Sequence, residues 1–113
     1  MATNVIEHEL RRSTRVPLRV VLTVVGGAGI NGEGETIIVN LHGALISTEL
    51  ILTIGMRISI LVYLTGKHAQ ARVVYVDTQT PLHCGIELDE PRNIWGVSLL
   101  PDDWDETRAL DMH

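Results

Sequence analysis

Short runs of β-branched and aliphatic residues constrain the fold of this chain more than any other feature of its sequence. The runs recur about every ten residues and are separated by glycine-containing turn signals. Examples are VPLRVVLTVV at 16–25, RISILVYL at 57–64 and LHCGIELD at 82–89. No segment has a helical period long enough to connect parallel strands by a crossover. The pattern therefore predicts neighbouring antiparallel strands.

The spacing of these runs predicts an all-β domain of about six strands, either a small antiparallel barrel or a sandwich. The glycine-rich stretch GGAGINGEGE at 26–35 is interpreted as a loop or hairpin turn. The last stretch, PDDWDETRALDMH at 101–113, opens with carboxylates that suit a helix N-terminus and predicts a short helix. The six strands are expected at 16–25, 36–41, 42–48, 57–64, 68–77 and 82–89.

Composition supports a single domain with an aliphatic core. The chain has 113 residues, no Phe, 2 Trp and 2 Tyr, so Val, Ile and Leu must fill the interior. Cys84 is the single cysteine, which excludes an intrachain disulfide, and we expect it to be a small buried hydrophobe. With no secretory leader and no apolar run as long as a membrane span, we expect a cytoplasmic protein without membrane insertion.

Charge is distributed unevenly along the chain. The formal net charge of -5 argues against general duplex DNA binding, which needs a basic face. Nevertheless, Arg11, Arg12 and Arg15 lie together in RRSTRV just ahead of the first predicted strand. Arg19 follows within that strand and is expected on its exterior. The cluster is either a solvated basic segment that could pair with the acidic end of the chain, or a site for a small anion.

The order of features along the chain resembles that of a PilZ domain. An arginine cluster precedes the first strand, and NLHGALI at 40–46, ARVVYVD at 71–77 and GIELDEP at 85–91 follow in turn. The resemblance runs from about residue 9 to residue 104. It implies a six-stranded antiparallel β-barrel with a short C-terminal helix, and binding of the bacterial second messenger cyclic di-GMP.

The resemblance also implies a division of the chain. Residues 1–15 form a flexible N-terminal arm that carries the arginines, residues 16–100 form the barrel, and residues 101–113 form the acidic C-terminal segment. In the family the arm folds over the barrel on binding. We therefore expect the arm to become ordered when ligand binds.

Two family motifs carry the ligand assignment. Arg-x-x-x-Arg is present as Arg11 to Arg15. In Asp/Asn-x-Ser-x-x-Gly, Asn40 matches the first position, but His42 stands in place of Ser and Leu45 in place of Gly. Gly43 supplies the glycine if the turn is one or two residues shorter than usual. The implied cyclic di-GMP site therefore comprises Arg11, Arg12, Arg15, Asn40, His42 and Gly43.

These residue types suit a doubly anionic dinucleotide. The planar guanidinium of Arg11 or Arg15 donates two hydrogen bonds to phosphate oxygens or to guanine O6 and N7, and it stacks on a base. The Asn40 carbonyl oxygen could accept from a guanine N–H. His42 could donate to phosphate, stack on guanine or block the pocket, and Gly43 allows a turn or a close backbone approach.

Two functions follow, and both remain open from the sequence. The first is a cyclic di-GMP sensor or adaptor that needs no cofactor and signals through a partner protein. The alternative is a degenerate PilZ-like module that binds protein and no nucleotide. Space beside Asn40 would favour the first, whereas filling of that space by His42 and Leu45 would favour the second.

Catalytic and metal-binding functions are not indicated by any constellation of residues. A lone cysteine and scattered histidines provide no nucleophile paired with a base, so we expect no enzyme activity. Metal-ligand spacing is lacking, and the neighbours His83 and Cys84 should point to opposite faces of their strand. Trp95 is expected to pack over an open end of the barrel, whereas Trp104 could pack or could anchor a partner.

Overall fold

Strands account for all of the regular secondary structure in the part of the chain that the structure describes. The structure is a computed structural model, and it describes residues 13–80 and 82–104. Alternating aliphatic residues form seven strands in this part, because one face of each strand can be buried while the other remains in solvent. The strands are β1 (Val16–Pro17), β2 (Val21–Gly26), β3 (Asn31–Asn40), β4 (Gly43–Thr48), β5 (Arg57–Val62), β6 (Lys67–Val76) and β7 (His83–Leu88).

Six of these strands close into an antiparallel barrel, which confirms the predicted all-β barrel architecture. The order of hydrogen-bonded neighbours is β3-β2-β5-β6-β7-β4, and β4 pairs back onto β3. The two-residue β1 pairs with the C-terminal part of β3, with Val16 opposite Val39 and Pro17 opposite Ile38. Closure of the sheet leaves no long exposed strand edge.

The interior is filled by the aliphatic residues that the composition required. Inward positions alternate along the strands, as with Leu22 and Val24 on β2 or Ile58, Ile60 and Val62 on β5. Trp95 and Trp104 join this core from the C-terminal part of the chain. Cys84 also lies in it, as predicted.

The glycine-rich stretch, predicted as a loop or hairpin turn, contains the β2–β3 hairpin turn but is not a loop throughout. Only its first part turns, where Ala28 and Gly29 have φ of 59° and 81°. Asn31 to Glu35 form the first half of β3 and pair with β2. Glycine allows β3 and β4 to approach each other closely here, since a Cβ on Gly34 would lie 3.0 Å from the backbone oxygen of Ser47.

The two ends of the chain lie partly outside the described residues. These comprise residues 1–12 of the predicted arm and residues 105–113 of the predicted helix. Residues 101–104 form a turn in which the Trp104 N–H donates to the Pro101 carbonyl at 3.0 Å. The short helix and the division of the chain into arm, barrel and acidic segment stay predictions. Across residues 13–80 and 82–104, no helix has the length and apolar character to cross a membrane.

Thr36 is a buried polar residue that supports β3 at its irregularity. The register of β3 on β4 shifts between Thr36 and Ile38. The Thr36 hydroxyl accepts from the Val20 N–H at 2.9 Å and donates to the Leu18 carbonyl. The hydroxyl thereby satisfies backbone groups of the segment that connects β1 to β2.

Replacing Thr36 by the isosteric Val should therefore lower the free energy of unfolding by about 1–3 kcal/mol, since two backbone groups lose their partner. Urea denaturation measures this loss. Thr23→Val, on the outer half-buried face of β2, is the matched control and should change stability by less than about 0.5 kcal/mol. Equal stability of the two variants would show that Thr36 does not support the bulge.

Candidate functional site

The β3–β4 turn, where the second motif lies, is a tight two-residue hairpin. Asn40 pairs with Gly43, so Leu41 and His42 alone form the turn. The Asn40 side-chain oxygen accepts from the His42 and Gly43 N–H groups, both at 2.9 Å. Asn40 is fully buried and His42 is 9% exposed. The asparagine oxygen therefore shapes the turn, as an Asx motif does, and faces the backbone.

Gly43 begins β4 at a point where the backbone of β7 passes very close. A Cβ at this position would lie 2.0 Å from the Ile86 carbonyl oxygen, so only glycine fits. The Leu88 N–H, which donates to the His42 carbonyl at 2.8 Å, also joins β7 to the turn at this point. The role of Gly43 in this structure is to let two strands approach where the barrel closes.

The N-terminal segment is anchored on this turn through Ser13, a residue that the sequence analysis did not single out. Ser13 is buried, and its hydroxyl oxygen accepts from the Leu41 N–H at 3.0 Å. Its carbonyl accepts from the Asn40 side-chain amide at 3.4 Å. No local pattern could have revealed these contacts, because they join residues 27 and 28 positions apart.

Arg15 lies two residues after Ser13 in the sequence. It is exposed, and it precedes Val16, whose strand partner Val39 precedes Asn40. Arg15 and the β3–β4 turn therefore lie at the same end of the β1–β3 pair. The Arg15 guanidinium forms no hydrogen bond or ion pair with the described residues, which leaves its donors available.

The remaining arginines have different positions. Arg11 and Arg12 lie outside the described residues. Arg19 is on the barrel exterior, as expected, and its guanidinium pairs with Glu35 at 2.9 Å. Among the six residues assigned to the ligand site, the structure thus presents Arg15 to solvent, whereas Asn40, His42 and Gly43 are buried in the turn.

The two tryptophans connect the C-terminal part of the chain to the same region. The Trp95 indole N–H donates to the Asn40 backbone carbonyl at 2.9 Å, and the Trp104 indole N–H donates to the Thr14 carbonyl at 2.7 Å. Both rings are buried. Trp95 therefore packs as expected, and of the two interpretations left open for Trp104 the structure has packing.

An open groove of about 760 Å³ lies elsewhere on the barrel. Its lining includes Gly32, Gly34, Leu50 and Leu82 together with three glutamates, Glu33, Glu35 and Glu49. Carboxylates repel an anionic dinucleotide, so this groove does not suit one. The region of Arg15 and the β3–β4 turn offers an exposed guanidinium and is therefore the better candidate.

Metal-ligating and nucleophilic side chains do not converge in the described part of the chain. Over residues 13–80 and 82–104, no group of three or more His, Cys, Asp or Glu residues is placed to hold an ion. Burial raises the pKa of the Cys84 thiol to about 11, which keeps it protonated and unreactive near neutral pH.

Comparisons with known proteins identify the fold. No family model matches the chain, and no curated protein matches it. Among solved structures it is similar to the PilZ domain of CeSA from a cellulose-synthesizing bacterium, with a TM-score of 0.56 and 16% sequence identity. The match covers 88% of this chain and 97% of that one. The chain therefore has a PilZ-like fold.

The geometry at Gly43 makes a direct prediction about stability. Gly43→Ala should lower the free energy of unfolding by about 3 kcal/mol or more, because the new methyl group collides with backbone rather than with a movable side chain. Chemical denaturation followed by circular dichroism measures the change.

Gly27→Ala is the matched control, because a Cβ there meets nothing within 4 Å. Its effect should stay below about 0.5 kcal/mol. If Gly43→Ala is as stable as this control, then β4 and β7 do not approach as described.

Proposed function

We propose that this chain is a cyclic di-GMP-binding sensor or adaptor that orders its N-terminal arm on the ligand and signals through a partner protein. The observation that carries the proposal is the exposed Arg15, which forms no ion pair with the described residues and follows the Ser13 anchor at the β3–β4 turn of a PilZ-like barrel. Arg11 and Arg12 precede it in the sequence and would add to the same cationic segment.

Arginine chemistry fits this ligand. One guanidinium plane can bind a phosphodiester or the guanine O6/N7 edge through two parallel hydrogen bonds, and its face can stack on a base. Arg11 and Arg15 are four residues apart and could therefore bind different parts of one compact dinucleotide. The net charge of -5 for the whole chain does not oppose this, since the interaction is local and the solvent screens distant charges.

The proposal gives the turn residues a role that differs from the one the motif implies. Asn40 and His42 are buried, and the Asn40 side-chain oxygen already accepts two backbone N–H groups. These residues would support the segment from which Arg15 leaves the barrel. In this proposal the arginines make most of the contacts that recognise cyclic di-GMP.

The alternative function is a PilZ-like protein-interaction module that binds no nucleotide. The same burial of Asn40 and His42 favours it, because a turn of two residues offers the ligand no side chain in this arrangement. In that case the arginines would meet an acidic partner surface. Both proposals describe a binding protein, in keeping with the fold, and neither assigns an enzyme activity, a cofactor or a membrane span.

Isothermal titration calorimetry with cyclic di-GMP, and GMP as the control ligand, tests the proposal. We expect micromolar or tighter affinity for the wild-type protein. Arg15→Ala should weaken it by about 1.5–3 kcal/mol, or roughly 10- to 150-fold, because a charged bidentate contact is lost. Barrel stability should not change, since Arg15 is exposed.

Arg19→Ala is the matched control, as it removes one exposed arginine from the adjoining segment and breaks only a surface ion pair. It should stay within about threefold of the wild-type affinity. A folded wild-type protein that gives no heat at high ligand concentration would reject the sensor and favour the interaction module.

A further inference from the structure

Thr14, the residue between the Ser13 anchor and Arg15, is held by the C-terminal segment of the chain. Its N–H donates to the Asp103 carboxylate, at 3.1 Å to Oδ1 and 2.9 Å to Oδ2. Its hydroxyl donates to Asp103 Oδ2 at 3.0 Å. Its carbonyl accepts from the Trp104 indole N–H at 2.7 Å. Every polar group of Thr14 is therefore bonded to residues 89 or 90 positions away.

These contacts fix the backbone that leads into Arg15. The Thr14 N–H belongs to the peptide group that it shares with Ser13, and the Thr14 carbonyl belongs to the peptide group that it shares with Arg15. Asp103 therefore fixes the orientation of the Ser13–Thr14 peptide group, and Trp104 fixes that of the Thr14–Arg15 peptide group. Since Ser13 is itself bound to the β3–β4 turn, the direction in which Arg15 leaves the barrel is set from both sides.

We propose that Asp103 and Trp104 are positioning residues for ligand binding by Arg15, acting through Thr14; this inference rests on the proposed function. An exposed arginine loses conformational entropy when it binds a ligand, and a fixed backbone reduces that loss. The Asp103–Thr14–Trp104 contacts, named here the Thr14 latch, provide the fixed backbone. Neither residue touches the ligand in this account.

The sign of the change in ligand affinity separates this proposal from a direct effect of the Asp103 charge. Asp103 is negative and lies beside the residue that precedes Arg15, so its charge alone opposes an anionic ligand. Loss of the charge would then strengthen binding. The latch predicts the reverse sign for a truncation, because removing the acceptor releases the Thr14 backbone.

Calorimetry with cyclic di-GMP on three variants tests the latch. Asp103→Ala should weaken binding about tenfold, whereas Asp103→Asn should stay within about threefold of wild type because its amide oxygen still accepts the Thr14 N–H. Asp102→Ala is the matched control, since Asp102 is exposed and forms no hydrogen bond or ion pair with the described residues. It removes the same charge from the neighbouring position and should not weaken binding.

A double-mutant cycle with Arg15 distinguishes positioning from a general loosening of the barrel. In an Arg15→Lys background, which keeps the charge and loses the planar fork, Asp103→Ala should cost less than about threefold. A merely structural role for Asp103 would give the same tenfold loss in both backgrounds. Trp104→Phe, which keeps a ring and removes the indole N–H, should weaken binding in the same Arg15-dependent way.

The outcomes are distinguishable. Tenfold weakening by Asp103→Ala, retained affinity in Asp103→Asn and a non-additive cycle support the latch. Wild-type binding combined with unchanged or tighter binding by Asp103→Ala, equal losses in both Asp103 variants, or an additive cycle overturns the latch and leaves the sensor intact. If the folded wild-type protein does not bind cyclic di-GMP, both the sensor function and the positioning role of Asp103 and Trp104 are rejected.

Discussion

The buried residue Asn40 joins three separated parts of the chain, and the arrangement around the candidate site depends on it. Its side-chain oxygen closes the β3–β4 turn on two backbone N–H groups. Its side-chain amide binds the Ser13 carbonyl, and its backbone carbonyl accepts the Trp95 indole N–H. A buried amide with these partners is stabilising only while all of them stay in place, so the turn, the N-terminal segment and the Trp95 segment constrain one another.

This arrangement changes how the second motif is understood. From the sequence the Asn40 carbonyl oxygen could accept from a guanine N–H, and in the structure that oxygen accepts from two backbone N–H groups of a two-residue hairpin turn. The short turn brings Gly43 to a point where β4 lies very close to its neighbour β7, so glycine is required there by packing. Asn40 and Gly43 thus both have a role in the construction of the barrel, and their part in ligand binding stays a prediction.

Much of the fold could be predicted from sequence, because β-branched runs with regular turn signals leave few alternatives to an antiparallel barrel. The glycine-rich stretch is a hairpin turn only in its first part: local glycine content indicates a loop or turn, but Asn31 to Glu35 pair with β2, and Gly34 and Glu35 also pair with β4. The prediction that Trp95 packs is confirmed, as is that of a buried Cys84.

The candidate site was only partly predictable. The arginine cluster is visible in the sequence, and its relation to the turn follows from the resemblance. Ser13, Asp103 and the partner of Trp104 could not be found, since their contacts span 27 to 90 positions and involve backbone groups that carry no sequence signal. Side-chain identity alone likewise could not show that His42 would be buried.

In the proposed function, an anionic dinucleotide binds the chain where the N-terminal segment contacts the β3–β4 turn. The most direct test is an amide-resolved ¹H–¹⁵N NMR titration with cyclic di-GMP, which reports where ligand binds without any substitution. The account predicts that the largest shifts occur at residues 13–15 and 41–43, with none in the glutamate-lined groove around Glu33 and Glu49. Shifts confined to that groove, or a spectrum unchanged by ligand, would contradict it.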